Sequence, residues 1–298
     1  MKILITGASG LIGSALIQHW HQQHEIIALT RSNKKAKQFV ASAINAVTNL
    51  AQVDFNAVDA VVNLAGEPIF GKRWTNKQKQ RLCQSRWQLT EQLSASIIEA
   101  KSPPKVFISG SAIGFYGAQQ QQVIDEDFAH LHPDFSHTLC HRWEQIALQA
   151  STEQTRVCLL RTGIVLAKHG GALQRMLLPF KLGLGGRIGS GKQYMSWIQL
   201  NDMVRLIDFL LLHPTLQGAF NATAPYPVTN AEFTTKLASA LQRPACLPLP
   251  SPLLRLLMGE MADLVLNSQR VIPARLVAAN FQFKTPQLAE ALKATLTC

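Results

Sequence analysis

The chain has 298 residues, 47% of them apolar and 16% charged, with five cysteines and a formal charge of +11. Such a balance fits a globular protein with one large or two modest cores and excludes fibrous and disordered chains. Cys83, Cys140, Cys158, Cys246 and Cys298 are odd in number and never stand two residues apart, so reduced thiols are expected rather than a disulfide framework or a zinc site.

Residues 3 to 13 read Ile-Leu-Ile-Thr-Gly-Ala-Ser-Gly-Leu-Ile-Gly, a buried-strand run that breaks into glycines at three-residue spacing. Met1-Lys2 leads directly into it, so no leader is expected. A diphosphate lies against a helix N-terminus only where the backbone comes very close. The loop then needs glycine where a Cβ would collide or φ must be positive, and the helix aims free N–H groups at the charge. Gly7, Ser9, Gly10, Leu11, Ile12 and Gly13 are therefore candidate cofactor contacts.

A second strand covers Glu25 to Thr30 and runs into Arg31-Ser32. An NAD enzyme usually carries an acidic residue there for the ribose hydroxyls, and Glu25 lies at the wrong end of the strand to substitute. A guanidinium matches a phosphate bidentately, so Arg31 and Ser32 predict NADP(H) in preference to NAD(H); the alternative is that Arg31 is a solvated surface charge. The densest basic run, Arg31 to Lys37, falls at this point. An anionic dinucleotide and an anionic small-molecule substrate thus account for part of the charge excess. No helix-turn-helix, zinc finger or aromatic strand points to nucleic acid.

A short helix is predicted near 34 to 41, then a strand from Val58 that ends in Leu64-Ala65-Gly66, further cofactor candidates. A long amphipathic helix spans about Thr75 to Ala100, Pro103-Pro104 stops it, and Lys105 to Ser111 is again a strand. A helix over about Ser136 to Ala150 and a strand over Thr155 to Leu166 follow. Alternation of this kind predicts a Rossmann-type doubly wound parallel sheet of the α/β class. Beyond 166 the glycines at 170–171, 183, 185–186 and 189–191 predict a long loop region. Helices over 201–212 and 230–241 flank a strand at 219–222, and the tail from Pro252 is mainly helical, with Pro273 and Pro286 opening helices. The expected division is a dinucleotide-binding domain of 1–165 with 201–224, and a smaller substrate domain of 166–200 with 225–298. No uncharged apolar run reaches membrane-spanning length, since Leu206 to Leu212 is flanked by Arg205 and interrupted by Asp208. A cytoplasmic monomer or homodimer without a membrane partner is expected.

The Thr-Gly-x-x-Gly-x-x-Gly loop, Asn63-Leu64-Ala65-Gly66 and the segment from Ser109-Gly110-Ser111 to Tyr116-Gly117 resemble the extended short-chain dehydrogenase/reductases. More closely, the chain resembles the atypical nucleoside-diphosphate-sugar epimerase-like (YfcH-like) branch, which carries a C-terminal domain of unknown function. Glu67-Pro68, Lys72 to Thr75, Ser85-Arg86, Leu160 to Gly163, Gly189 to Ile198, Asn221 to Pro225 and Pro273 to Leu276 extend the likeness over nearly the whole chain.

Active members of the wider superfamily pair Tyr-x-x-x-Lys with an upstream serine, the ammonium favouring a phenolate that trades a proton with the substrate hydroxyl. Four places after Tyr116, Tyr194 and Tyr226 stand Gln120, Ile198 and Asn230, so the pair is absent. Aligning Glu144 with the glutamate that often follows the lysine puts Ser136 and Cys140 at the tyrosine and lysine positions. Three readings stay open: Ser111 with a relocated Tyr116 phenol, Cys140 or His137 as acid/base, or cofactor binding without such catalysis. Trp74, Arg86, Arg161, Tyr194 and Trp197 are the substrate-side candidates, because arginines with aromatic neighbours suit an anionic group attached to a ring. The histidines and cysteines lack metal-site spacing, and no metal is expected.

Overall fold

The structure, a computed structural model, describes residues 1–31 and 44–297. Ser32 and the helix expected near 34 to 41 lie outside the described residues. At the centre is a seven-stranded sheet whose neighbouring pairs are all parallel, in the order β11-β7-β5-β4-β1-β2-β3. Its strands are β1 (Lys2–Thr6), β2 (Glu25–Leu29), β3 (Asn45–Val47), β4 (Ala60–Asn63), β5 (Val106–Ala112), β7 (Arg156–Thr162) and β11 (Gly218–Ala222).

Period-two alternation sends the strand side chains into two cores. Ile3, Ile5, Val62, Ile108, Leu160 and Phe220 pack with Leu16 and Trp20 of α1 (Leu11–Trp20) and Leu206 and Leu210 of α5 (Leu200–Leu212). On the other face, Leu4, Val61, Phe107, Val157 and Leu159 meet Leu93 and Ile97 of α2 (Asn76–Glu99) and Ala147 of α3 (Phe135–Leu148). Toward the carboxyl ends this second face turns polar. Thr6, Asn63 and Ser109 stand in register on adjacent strands, as do Ser111, Arg161 and Asn221.

The expected strand over 155–166 is two strands. At Gly163 a Cβ would lie 2.6 Å from the Ser196 carbonyl oxygen, and the chain leaves the sheet there. Residues 164–166 (β8) then pair with Trp197–Gln199 (β10). Nor is the glycine-rich stretch after 166 all loop: it contains α4 (Gly171–Lys181). Gly170 and Gly171 supply positive φ at its start, and Leu173, Leu177 and Phe180 at i, i+4 and i+7 bury one face. These residues form a third core with Trp197, with Phe233 and Leu237 of α6 (Asn230–Leu241), and with Leu288 and Leu292 of α10 (Leu288–Thr297). Between α6 and α10 lie α7 (Ser251–Met258), α8 (Asp263–Leu266) and α9 (Ala274–Ala278). Among the described residues no helix is long and apolar enough to cross a membrane.

Asp202 does not cap α5, whose N-cap is Gln199. Its carboxylate, 1% exposed, accepts from Lys284 N (2.8 Å), Thr285 N (2.9 Å) and Thr285 Oγ1 (2.8 Å), and pairs with Arg205 (3.1 Å). The segment that leads into the last helix is thereby tied to α5. Asp202→Ala strands these donors in the interior and should cost about 3 kcal/mol in urea unfolding. Limited proteolysis should then cut first near 284–287.

Candidate active site

Gly7 has φ +68, and a Cβ there would stand 2.7 Å from the Leu64 carbonyl. Gly10 donates its N–H to Gly7 O (2.8 Å) and is the N-cap of α1; a Cβ on Gly13 would run into that same carbonyl. Among the described residues no side chain caps the first turn of α1, and the turn holds no acidic residue. Its leading N–H groups, which have no intrahelical acceptors, therefore stand ready for an anion. Leu64 and Ala65 close the loop from the side, with Ala65 N donating to Thr6 Oγ1 (3.3 Å). A buried network holds the floor: Thr6 Oγ1 donates to Asn63 Oδ1 (2.7 Å), while Asn63 Nδ2 and Trp143 Nε1 both donate to Thr90 Oγ1 (2.9 Å each). The glycine cradle, the space it preserves and the bare helix end fit a dinucleotide diphosphate.

Arg31 follows β2 with its side chain 78% exposed, its Nη1 3.9 Å from Glu67 Oε2. Glu67 itself is held by Lys72 (2.8 Å), which together with that contact keeps its carboxyl below the usual range despite the opposing effect of burial. No acid terminates β2, so this end of the site suits an added phosphate.

At the β5 end the geometry departs from expectation. Tyr116 is fully buried; its hydroxyl donates to Asn221 Oδ1 (2.7 Å) and accepts from Arg161 Nη1 (2.9 Å), and burial pushes its pKa up to about 12. The relocated phenol is thus enclosed in the protein interior. Arg161 is likewise internal. Burial would lower its pKa, but Glu144 outweighs that with paired contacts at 3.0 and 2.9 Å, and the Phe115 ring lies 3.6 Å from the guanidinium carbon. Ser111 Oγ donates to the same carboxylate (2.6 Å). Trp197 is core, and Trp74 is 7% exposed with Nε1 donating to Ile69 O (3.1 Å). Tyr194 lies on β9 (Tyr194–Met195) under the Arg270 guanidinium.

What the fold does bring together is Ser111, Cys140 and Arg86. Cys140 is buried, desolvation raises its thiol to about 12, and Ser111 is a hydrogen-bond neighbour. Such a thiol stays protonated at neutral pH, which removes it as a base. His137 Nδ1 contacts Phe115 O (2.5 Å).

Residues that sequence reasoning missed complete the network. Asn221 N donates to Glu126 Oε1 (2.9 Å), Arg275 N to Glu126 Oε2 (3.2 Å), and Asn221 Nδ2 to Ile272 O (2.9 Å). Nothing in the local sequence around Glu126 separates it from its acidic neighbours.

Arg161→Met leaves Glu144 buried without its cation and should cost about 3–5 kcal/mol; the Arg161→Met/Glu144→Met double variant should lose less than the sum of the single losses in a denaturation cycle. Tyr116→Phe should cost about 1–2 kcal/mol in the same assay. Burial raises the folded-state pKa of Glu126 above its unfolded value, so its titration favours folding most below the unfolded pKa and that gain is lost as pH rises through the folded pKa. Glu126→Gln, which cannot titrate, should therefore be most destabilising at acid pH and less so toward neutrality in pH-dependent melts.

The comparisons place this geometry among known proteins. The family model described as NAD dependent epimerase/dehydratase matches residues 3–222, and a domain of unknown function, DUF1731, matches 249–295. An epimerase family protein of Mycobacterium leprae is 43% identical over 99% of this chain and 95% of its own length. The crystal structure of human epimerase family protein SDR39U1 with NADPH superimposes at a TM-score of 0.92, with 34% identity over 100% of this chain and 99% of that one. UDP-glucuronic acid 4-epimerase of Bacillus cereus, solved with NAD, shares the fold at a TM-score of 0.76 and 17% identity, covering 100% of this chain and 98% of that one. With a bare glycine cradle at the head of its parallel sheet and a DUF1731 match behind it, the chain belongs to the NAD-dependent epimerase/dehydratase family.

Proposed function

We propose that this chain binds NADP(H) in preference to NAD(H) and acts as an oxidoreductase or sugar-nucleotide epimerase-like enzyme on a hydroxyl or carbonyl of a small anionic substrate. Residues 1–165 with 201–224 form the cofactor unit, and 166–200 with 225–298 the substrate side. The observation that carries the reading is Arg31, which follows β2 in place of a carboxylate, together with the helix N-terminus at Leu11 that no side chain caps among the described residues. Arg31, with Ser32 outside the described residues, takes the added phosphate; Gly7, Ser9, Gly10, Leu11, Ile12 and Gly13 take the diphosphate; Leu64, Ala65 and Gly66 flank the ribose. The NADPH in the human relative supports this assignment, while the NAD in the Bacillus neighbour leaves the preference to rest on Arg31.

When bound, the nicotinamide ring supplies or accepts the hydride. The Ser111 hydroxyl spends its hydrogen bond on Glu144 and keeps its lone pairs, so it positions a substrate hydroxyl rather than protonating it. That same commitment, with Tyr116 enclosed, favours a second reading: a catalytically silent NADP(H)-binding regulatory protein.

Fluorescence titration should give NADPH binding at least about tenfold tighter than NADH. Arg31→Ala should weaken NADPH about ten- to a hundredfold and change NADH little, as loss of one charge-assisted contact implies. Equal affinities in the parent protein would reject the NADP(H) preference. Oxidation of bound NADPH by any member of a panel of nucleotide sugars, ketones and quinones, or formation of an epimer from a nucleotide sugar, decides for the enzyme; neither oxidation nor epimer across the panel decides for the silent protein.

A further inference from the structure

We propose that Arg86 is an oxyanion receptor whose guanidinium takes a carboxylate or phosphate group of the substrate, beside Gly66 and Ser111. The proposal deepens the cofactor-dependent reading above and rests on it for the identity of the ligand as substrate.

The contrast with the chain's other inward arginines carries the argument. Arg161 has both oxygens of Glu144. Arg156 donates to the carbonyls of Leu210, Leu211 and Leu216. Arg275 donates to Gln217 and Ala219, and Arg205 to Asp202 and Gln282. Arg86, on α2, makes one hydrogen bond among the described residues, from Nη1 to the Leu82 carbonyl one turn back (3.1 Å). No carboxylate among them lies within ion-pair distance of it; Glu67, the acid it senses, is engaged by Lys72 and Arg31. Its other titratable neighbours are the thiols Cys83 and Cys140, which burial keeps neutral, and the centroid of the Trp143 ring lies 5.3 Å from the guanidinium carbon. A cation taken out of water normally finds a counter-charge. One carbonyl and one ring do not supply it. Desolvation is accordingly the leading influence on Arg86, lowering its pKa.

Gly66 makes the place in which the guanidinium lies, and its nitrogens are not sealed there. A Cβ on Gly66 would stand 2.9 Å from the guanidinium carbon, so glycine there leaves the charged plane room at the carboxyl end of β4. None of the guanidinium nitrogens is among the sealed, unpartnered polar atoms. Nε and Nη2 thus present a planar set of donors that matches a carboxylate or phosphate edge. The cofactor's phosphates already have receivers at the α1 N-terminus and Arg31, so the anion left for Arg86 belongs to a second molecule. Cys140, at the position that aligns with the superfamily's lysine, brings this cation and Ser111 to the same spot.

The test uses the full chain saturated with NADPH, inorganic phosphate and malonate as probes at constant ionic strength, and scanning calorimetry. The expected result is a saturable rise in Tm with at least one probe, abolished in Arg86→Met and moved to about tenfold higher concentration in Arg86→Lys. Without probe, Arg86→Met should melt no lower than the parent, because an uncompensated charge has been replaced by a packed side chain. NADPH affinity should change less than twofold. A fall in Tm as large as that of Arg161→Met would make Arg86 an internal strut and overturn the proposal. So would a tenfold loss of NADPH affinity with the probe response intact, or no response in the parent protein. Should the parent fail to bind NADPH, the function proposed above falls, while the probe response without cofactor still decides for or against Arg86.

Discussion

Arg161 is a full charge placed inside a parallel sheet, and the polar architecture around it follows from that placement. In register with Ser111 on one side and Asn221 on the other, it cannot reach bulk water and must be answered from within. Glu144 answers it from α3 and ties that helix to the sheet, beside the packing of Ala147. The remaining valences propagate outward: Ser111 onto the same carboxylate, the Tyr116 hydroxyl between Arg161 and Asn221, Glu126 beneath the Asn221 amide. Each member satisfies its neighbour, which is the condition under which a buried polar network specifies one structure.

The same network explains why chemistry and cofactor binding separate in this chain. The glycine loop depends on backbone shape and on the Thr6, Asn63 and Thr90 bonds, none of which involves Arg161. The β5 end, where a hydroxyl would be turned over, is instead committed to the ion pair. Ser111 retains acceptor capacity only, and Tyr116 retains neither a free proton nor access. Arg86 lies between the two systems, against Gly66 and Trp143, and joins neither by a side-chain hydrogen bond, so most of its donors are unspent among the described residues.

Much of this was legible in the sequence where a local rule acts alone. The glycine spacing, the 76–99 helix and the parallel sheet follow from periodicity and from the steric needs of the loop, and the structure has them. What a long-range contact decides was not legible. Arg161 and Trp197 carry polar or aromatic groups in strand-end contexts that suit a ligand, and only register and burial reveal that Glu144 and the third core already hold them. Helix 171–181 was hidden because its glycines are concentrated at its start, where they make the turn, while three buried apolar residues supply the stripe. Asn221 and Glu126 stand 95 residues apart and share no local pattern.

Those separations also set an order of assembly. The Tyr116–Asn221 bond spans 105 residues and the Glu126–Arg275 bond 149. During synthesis from the N-terminus, the glycine cradle is complete once β4 has paired and Thr90 and Trp143 have closed its floor, whereas the charge row stays open at its edge until β11 docks. Glu126 waits longer still, for the backbone of the C-terminal segment. A chain halted before residue 218 would carry a formed cofactor cradle above a half-closed sheet with Tyr116 lacking its acceptor. The polar end of the sheet is therefore satisfied only when the C-terminal region is in place, and contacts of such long sequence separation are the slow ones to close.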